Sequence, residues 1–169
     1  MENSILINNA GLVIMHPYLK LLFERAGYSS NGEFKDEDAQ HTAILYSQFL
    51  ATGYSTTNEV YLPLNKILCG VDLKTPVNTT FELTKNLEEL GNGLLNAVIQ
   101  HWSAIGNASY EVLRGNFIIR DGKLIESDEK WNLEVESKPY DVLLDKLPWS
   151  ISQINLPWME KPLEVKWRN

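Results

Sequence analysis

Phe117-Ile118-Ile119-Arg120-Asp121-Gly122-Lys123-Leu124-Ile125 is the stretch at which the pattern of this chain changes. Before it, apolar residues recur at helical spacing. From it onward they fall into short runs and alternations. Two apolar runs flank Asp121-Gly122, and an Asp-Gly pair suits the two-residue turn of a hairpin. Downstream, Trp131, Leu133 and Val135 alternate with polar residues, as in a half-buried strand. Asp128-Glu129 falls in a turn between strands. Residues 140–147 read as a short helix after Pro139, and 151–156 and 163–167 as two more short strands.

Upstream the signals are helical. Pro17 suits a first turn. Leu19, Leu22, Phe23 and Ala26 follow on one face, and Gly27 fits a C-cap. The run before Pro17 fits a strand or a separate helical turn. Asp36-Glu37-Asp38 places carboxylates at a helix start, Ala39, Ala43, Tyr46 and Leu50 give that helix an inward stripe, and Gly53 ends it. Pro63 suits the first turn of another short apolar element at 60–68. Thr84 is the expected N-cap of the longest helix, whose stripe runs through Leu87, Leu90, Leu94, Val98, Trp102 and Ile105 to Gly106-Asn107. Gly91 and Gly93 each weaken it by about 1 kcal/mol relative to alanine. Residues 109–114 fit one more short helix. The predicted class is α+β: N-terminal helices followed by a small C-terminal antiparallel β region, a hairpin or meander, packed on them. A single globular domain over 1–169 is expected, its helical part about 1–115 and its β-rich part about 116–169.

Composition narrows the function. The chain has 169 residues, 44% of them hydrophobic and 22% charged, a balance that builds a core. Its formal charge of −7 argues against a phosphate-tracking partner. A helix followed by a hairpin raises a DNA-binding winged helix, but residues 117–169 carry 8 basic and 10 acidic side chains, so no nucleic acid partner is expected. No apolar run nears the roughly 20 residues of a spanning helix, and no basic segment followed by an apolar one opens the chain. Stable membrane insertion is not expected. The lone cysteine, Cys69, forms no internal disulfide, suits a reducing compartment, and reads as a buried small hydrophobe.

No catalytic constellation stands out. His16, His41 and His101 lack the i, i+4 pairing of a helical metal site. Phosphate-cradling glycine motifs and a serine-nucleophile elbow are missing. A non-enzymatic chain without cofactor or metal is the expectation. The aromatic pattern is more informative. Leu147-Pro148-Trp149 recurs as Leu156-Pro157-Trp158, and four of five tryptophans (Trp131, Trp149, Trp158 and Trp167) lie late in the chain. Their roles are the core of a small sheet layer or a protein-binding face, because tryptophan is enriched at interface hot spots, and both can hold for different rings. These four are the candidate protein interface.

Several segments in order resemble one family: 8–19 (Asn-Asn-Ala-Gly-Leu-Val-Ile-Met-His-Pro-Tyr-Leu), 64–70 (Leu-Asn-Lys-Ile-Leu-Cys-Gly), 97–107 (Ala-Val-Ile-Gln-His-Trp-Ser-Ala-Ile-Gly-Asn), 113–117 (Leu-Arg-Gly-Asn-Phe), 140–151 (Tyr-Asp-Val-Leu-Leu-Asp-Lys-Leu-Pro-Trp-Ser-Ile) and 156–159 (Leu-Pro-Trp-Met). Together they resemble the tape measure proteins of bacterial contractile injection systems, phage-tail-like particles that drive a tube through a target membrane. The resemblance implies a structural protein that sets inner-tube length and is anchored at the baseplate or hub end. Implied partners are inner tube, hub or spike/baseplate proteins, with self-association also open. The implied location is cytoplasmic during assembly and then within the contractile particle. No catalytic or cofactor residue carries over. One helix of 169 residues would span roughly 250 Å, and the proline, glycine and turn signals forbid even that. The chain is therefore expected to be the globular end domain of a longer tape measure, or a short member with an anchoring or capping role. An effector cargo or an assembly adaptor of the same machine is the alternative.

Overall fold

The computed structural model describes residues 3–168. The chain opens as a strand, β1 (Ser4–Ile7), and passes through a 3-10 helix over Ala10–Met15 into α1 (His16–Arg25). Both elements left open by the run before Pro17 are thus present. A short ribbon, β2 (Ser29–Ser30) with β3 (Glu33–Phe34), leads to α2 (Glu37–Thr52). Asp36 caps α2 by accepting the Ala39 N–H at 2.7 Å, and Gly53 closes it at a left-handed φ of 84°. Helices α3 (Pro63–Leu68), α4 (Lys85–His101) and α5 (Tyr110–Leu113) follow. Thr84 caps α4 and Ser109 caps α5, each through its hydroxyl. Strands β4 (Gly122–Glu126), β5 (Trp131–Val135), β6 (Gln153–Ile154) and β7 (Leu163–Lys166) complete the described fold, with a 3-10 helix over Pro139–Lys146 between β5 and β6.

The class is α+β, but the order differs from helices first and strands after. Among the described residues the main sheet has five strands in the order β1-β4-β5-β7-β6. The first strand of the chain belongs to it, with Ser4 opposite Ile125 and Ile7 opposite Gly122. Nor is the sheet purely antiparallel, because β5 runs parallel to β7, Trp131 opposite Leu163. Leu6, Lys123 and Glu134 share the outer face, where the Lys123–Glu134 pair forms at 3.4 Å. Ile5, Leu124, Leu133 and Val165 form the inner row, facing the helices.

The Asp121-Gly122 hairpin is corrected too. Phe117 and Ile118 are helical, the end of a π turn over Arg114–Ile118 that continues α5. Gly122 is the first residue of β4, and the turn joining β4 to β5 lies at 127–130, closed by the Ser127 N–H donating to the Lys130 carbonyl at 2.9 Å. Helical geometry wins at 117–118 because both side chains are buried among helices, Phe117 edge-on to Trp102 at 4.8 Å. The long α4 stripe also ends early. Trp102 leaves the helix, buries its ring completely, and donates its indole N–H to the Leu143 carbonyl at 2.9 Å.

One hydrophobic cluster runs from Ile7 to Trp167 and takes in residues from both halves. At its centre α2 is buried nearly all round from Ala43 to Ala51. Arg114 ties the end of α2 to the π turn: its guanidinium donates to the Leu50 and Phe49 carbonyls at 3.0 and 3.3 Å. Both carbonyls belong to the last turn of α2; that of Phe49 also accepts the Gly53 N–H at 2.7 Å. The π turn also packs on the N-terminal 3-10 helix so closely that a Cβ at Gly11 would lie 1.7 Å from the Phe117 oxygen.

The two glycines of α4 separate in the same way. A Cβ at Gly91 would meet the Phe49 ring at 2.8 Å, whereas Gly93 is exposed and faces open space. Gly93→Ala is expected to raise unfolding free energy in urea by about 1 kcal/mol, the helix-propensity difference alone. Gly91→Ala is expected to lower it by about 1–3 kcal/mol through overpacking. Equal signs for the two would contradict this packing.

Candidate protein interface

Trp149 and Trp158 sit on the chain segment that crosses from the 139–146 helix to β7, whereas Trp131 opens β5 and Trp167 follows β7. Proline before each ring of the Leu-Pro-Trp repeat holds extended or turn backbone, so each ring projects from a fixed point. Trp149 donates its indole N–H to the Ile14 carbonyl at 2.9 Å and meets Tyr18 edge-on at 5.3 Å. Trp158 donates to the carbonyl of Leu68, the last residue of α3, at 2.6 Å, and packs on Phe23 and Phe34 at 5.8 and 4.7 Å. Both rings are half-buried pegs that pin one strap to two different parts of the helical layer. Gly70 gives the second peg room: its φ is +75°, and a Cβ there would lie 2.2 Å from the Trp158 oxygen.

Trp167 is buried and donates to Asp141 Oδ2 at 3.0 Å. It belongs to a charged centre in which Arg120 and Asp141 pair through both guanidinium nitrogens, at 2.8 and 2.9 Å, with less than 2% of either side chain exposed. Arg120 also donates to the Glu136 and Asn116 carbonyls, and its guanidinium lies between the Tyr140 and Trp167 rings. The Lys138 amide donates to Asp141 as well. Burial opposes ionisation of Asp141, but the Arg120, Lys138 and Trp167 donors outweigh it and hold the carboxyl below its ordinary range.

Trp131 differs from the other four tryptophans. Their indole N–H groups are all spent inside the chain, whereas that of Trp131 has no hydrogen-bond partner among the described residues. Its half-buried ring lines a groove of about 660 Å³ with Ile5, Ile67, Val71, Leu73 and Lys74. The four rings proposed from sequence therefore do not form one face. One is in the core, two are pegs, and one is open to a groove.

Other sequence candidates are occupied structurally. The His16 Nε2 bonds the Ser150 carbonyl at 2.7 Å, and burial pulls its pKa down. The Tyr18 hydroxyl and His101 Nδ1 bond at 2.6 Å. Cys69 is buried and its thiol pKa is pushed up by desolvation, which disfavours the thiolate. Among the described residues no three His, Cys, Asp or Glu side chains are placed to hold a metal ion, and no helix is long and apolar enough to cross a membrane.

Besides the Arg120–Asp141 centre, sequence reasoning missed two further buried polar clusters. In one, Asn9 Nδ2 donates to Gln48 and Asn65 side chains at 2.9 and 2.8 Å, and Asn65 donates on to Ser47 at 2.8 Å. In the other, the buried Lys66 ammonium donates to the Leu73 and Thr75 carbonyls, with Glu59 at 3.6 Å. A polar side chain inside an apolar run, as at Lys66 and Arg120, was the available signal.

Residues 1–167 match the family model described as contractile injection system tape measure protein. The chain belongs to that family. No curated protein and no solved structure matches it. The segments that carried the resemblance are those the fold sews together: 8–19 meets 64–70 through Asn9 and Asn65, 97–107 meets 140–151 through Trp102 and Leu143, and 156–159 meets 64–70 through Trp158 and Leu68.

Three measurements follow from this geometry. Trp149→Phe and Trp158→Phe each remove one indole donor and are expected to cost about 1 kcal/mol in urea unfolding. Arg120→Met or Asp141→Leu alone strands a buried charge and is expected to cost about 3–5 kcal/mol, while the double variant recovers most of it. Asp141 also sets a pH dependence. Its contribution is complete above the unfolded carboxylate pKa of about 3.9 and is lost as pH falls through the lower folded value. The double variant should show a shallower loss of stability below about pH 4 than the wild type. Some slope remains from Asp145 and Glu164, drawn down by Arg168 and Lys130.

Proposed function

We propose that this chain is a folded docking part of the tape measure of a contractile injection system, structural rather than catalytic, seated at the baseplate or hub end of the inner tube. The observation that carries this reading is the absence of a ruler within the described residues. The longest helix, α4, has 17 residues and spans about 25 Å, and the chain packs its helices on a sheet instead of extending them. A family member of this shape serves attachment better than measurement. The charge of −7 favours a basic tube or hub surface. Of the four late tryptophans, Trp131 is the ring proposed to touch a partner, because its indole N–H has no hydrogen-bond partner among the described residues. Trp149 and Trp158 act indirectly by holding the strap, and Trp167 by completing the core.

The test is made in the producing bacterium. Tagged chain is expected to co-purify with tube, hub or spike proteins, and deletion of its coding segment to reduce assembled particles or alter their length in electron micrographs. Trp131→Ala is expected to weaken that capture while shifting the urea midpoint less than Trp149→Ala does. Particles of normal number and length without the chain, but unable to act on target cells, would instead favour the cargo reading.

A further inference from the structure

We propose that the open edge of β1 is the docking site for an extended, basic segment of a partner protein, which adds to the sheet as a further strand. This rests on the docking role above and gives it a place and a chemistry.

Strand β1 pairs with β4 on one side, and among the described residues no strand lies on its other side. In an antiparallel pair alternate residues turn both N–H and C=O away from the partner strand, so Ser4–Ile7 presents main-chain donors and acceptors outward. Edges of this kind are commonly blunted by lysine, proline or shortness. The opposite edge is blunted: β6 has two residues, and Pro157 follows three positions later. The run Asn3-Ser4-Ile5-Leu6-Ile7-Asn8 carries no charge, proline or glycine.

Cavities flank this edge at both ends. The groove of about 660 Å³ begins at Asn3 and Ile5, and a second cavity of about 310 Å³ lies at Leu6, Ile7 and Asn8. Ile67 and Leu73 line the first, Val60 and Tyr61 the second. Leu6 is 78% exposed and Val60 66%. An added strand gains main-chain hydrogen bonds from the edge, and its alternating side chains gain apolar contacts from the cavities.

Charge selects the occupant. Among the ionisable side chains lining the two cavities, Glu126 and Lys161 pair with each other at 2.7 Å. Among the described residues Asp72, Glu160 and Asp121 make no ion pair, and Lys74 is the one cation of the two linings without one. Three carboxylates without an ion pair, Asp72 among them accepting only the Lys74 amide at 2.8 Å, stand against one such ammonium and favour a segment in which lysine or arginine alternates with apolar residues.

The probes are two blocked hexapeptides, one alternating lysine with valine and one alternating glutamate with valine, titrated into the ¹⁵N-labelled full chain. The basic peptide is expected to shift the amide resonances of Ser4–Ile7 and to bind at least tenfold tighter than the acidic one. Asp121→Lys with Glu160→Lys, both at exposed positions whose side chains make no hydrogen bond among the described residues, should abolish that preference. Equal binding of the two peptides, or shifts confined to other elements, would overturn the proposal. So would β1 shifts that grow with protein concentration alone, which would make a second copy the occupant. If the tagged chain co-purifies with particles while the basic peptide leaves β1 unchanged, the edge assignment fails and the docking role stands. If the basic peptide binds β1 but the chain never associates with particles, the docking role fails and the edge remains a strand acceptor.

Discussion

The Arg120–Asp141 pair is the interaction on which the other parts of this fold converge. It is buried on both sides, and its remaining bonds reach the π turn, the end of β5, the 139–146 helix and the Trp167 ring beyond β7. A buried ion pair adds little net stability over a hydrophobic replacement. What this one supplies is constraint. The guanidinium fork and the carboxylate accept one mutual geometry, and four chain segments must be in place for every donor and acceptor but Arg120 Nε to be used. The sheet and the helical layer are thereby fixed at one register, and the strap carrying Trp149 and Trp158 departs from that fixed point.

The helices were legible in the sequence because their punctuation is local. Asp36, Gly53, Pro63 and Thr84 act within one turn of themselves, and each marks the boundary it was read to mark. The hairpin was misread because Asp121-Gly122 is a turn signal only if both flanking runs are extended. Phe117 and Ile118 fill a hole between Trp102, Tyr140 and the N-terminal 3-10 helix, and tertiary packing overrides β propensity there. Nothing local in Ser4–Ile7 names partners at Gly122–Ile125, so the membership of β1 in the sheet was out of reach.

The tryptophan cluster shows a second limit of the sequence. The sequence leaves each of the four rings open to core or binding face, and the fold gives them three different surroundings. Indole is both the largest apolar side chain and a hydrogen-bond donor, so it serves equally as filler, peg or contact. The separating observation is where each N–H goes. Segments 8–19, 64–70, 140–151 and 156–159, which identify the family, meet through those bonds, so the fingerprint describes how the chain closes on itself.

The pairing of β1 has a kinetic side. Ser4 leaves the ribosome first among the sheet residues, and its partner Ile125 follows 121 residues later. Ends that far apart in sequence close late, because a long loop must be ordered before the contact rewards it. During synthesis at about 5–20 residues per second, the first strand stays unpaired for several seconds while the helices form behind it. An apolar strand that waits with its hydrogen-bonding groups unmet is a hazard in a crowded cytosol, and early closure of α1 and α2 limits it only by shielding the residues that follow.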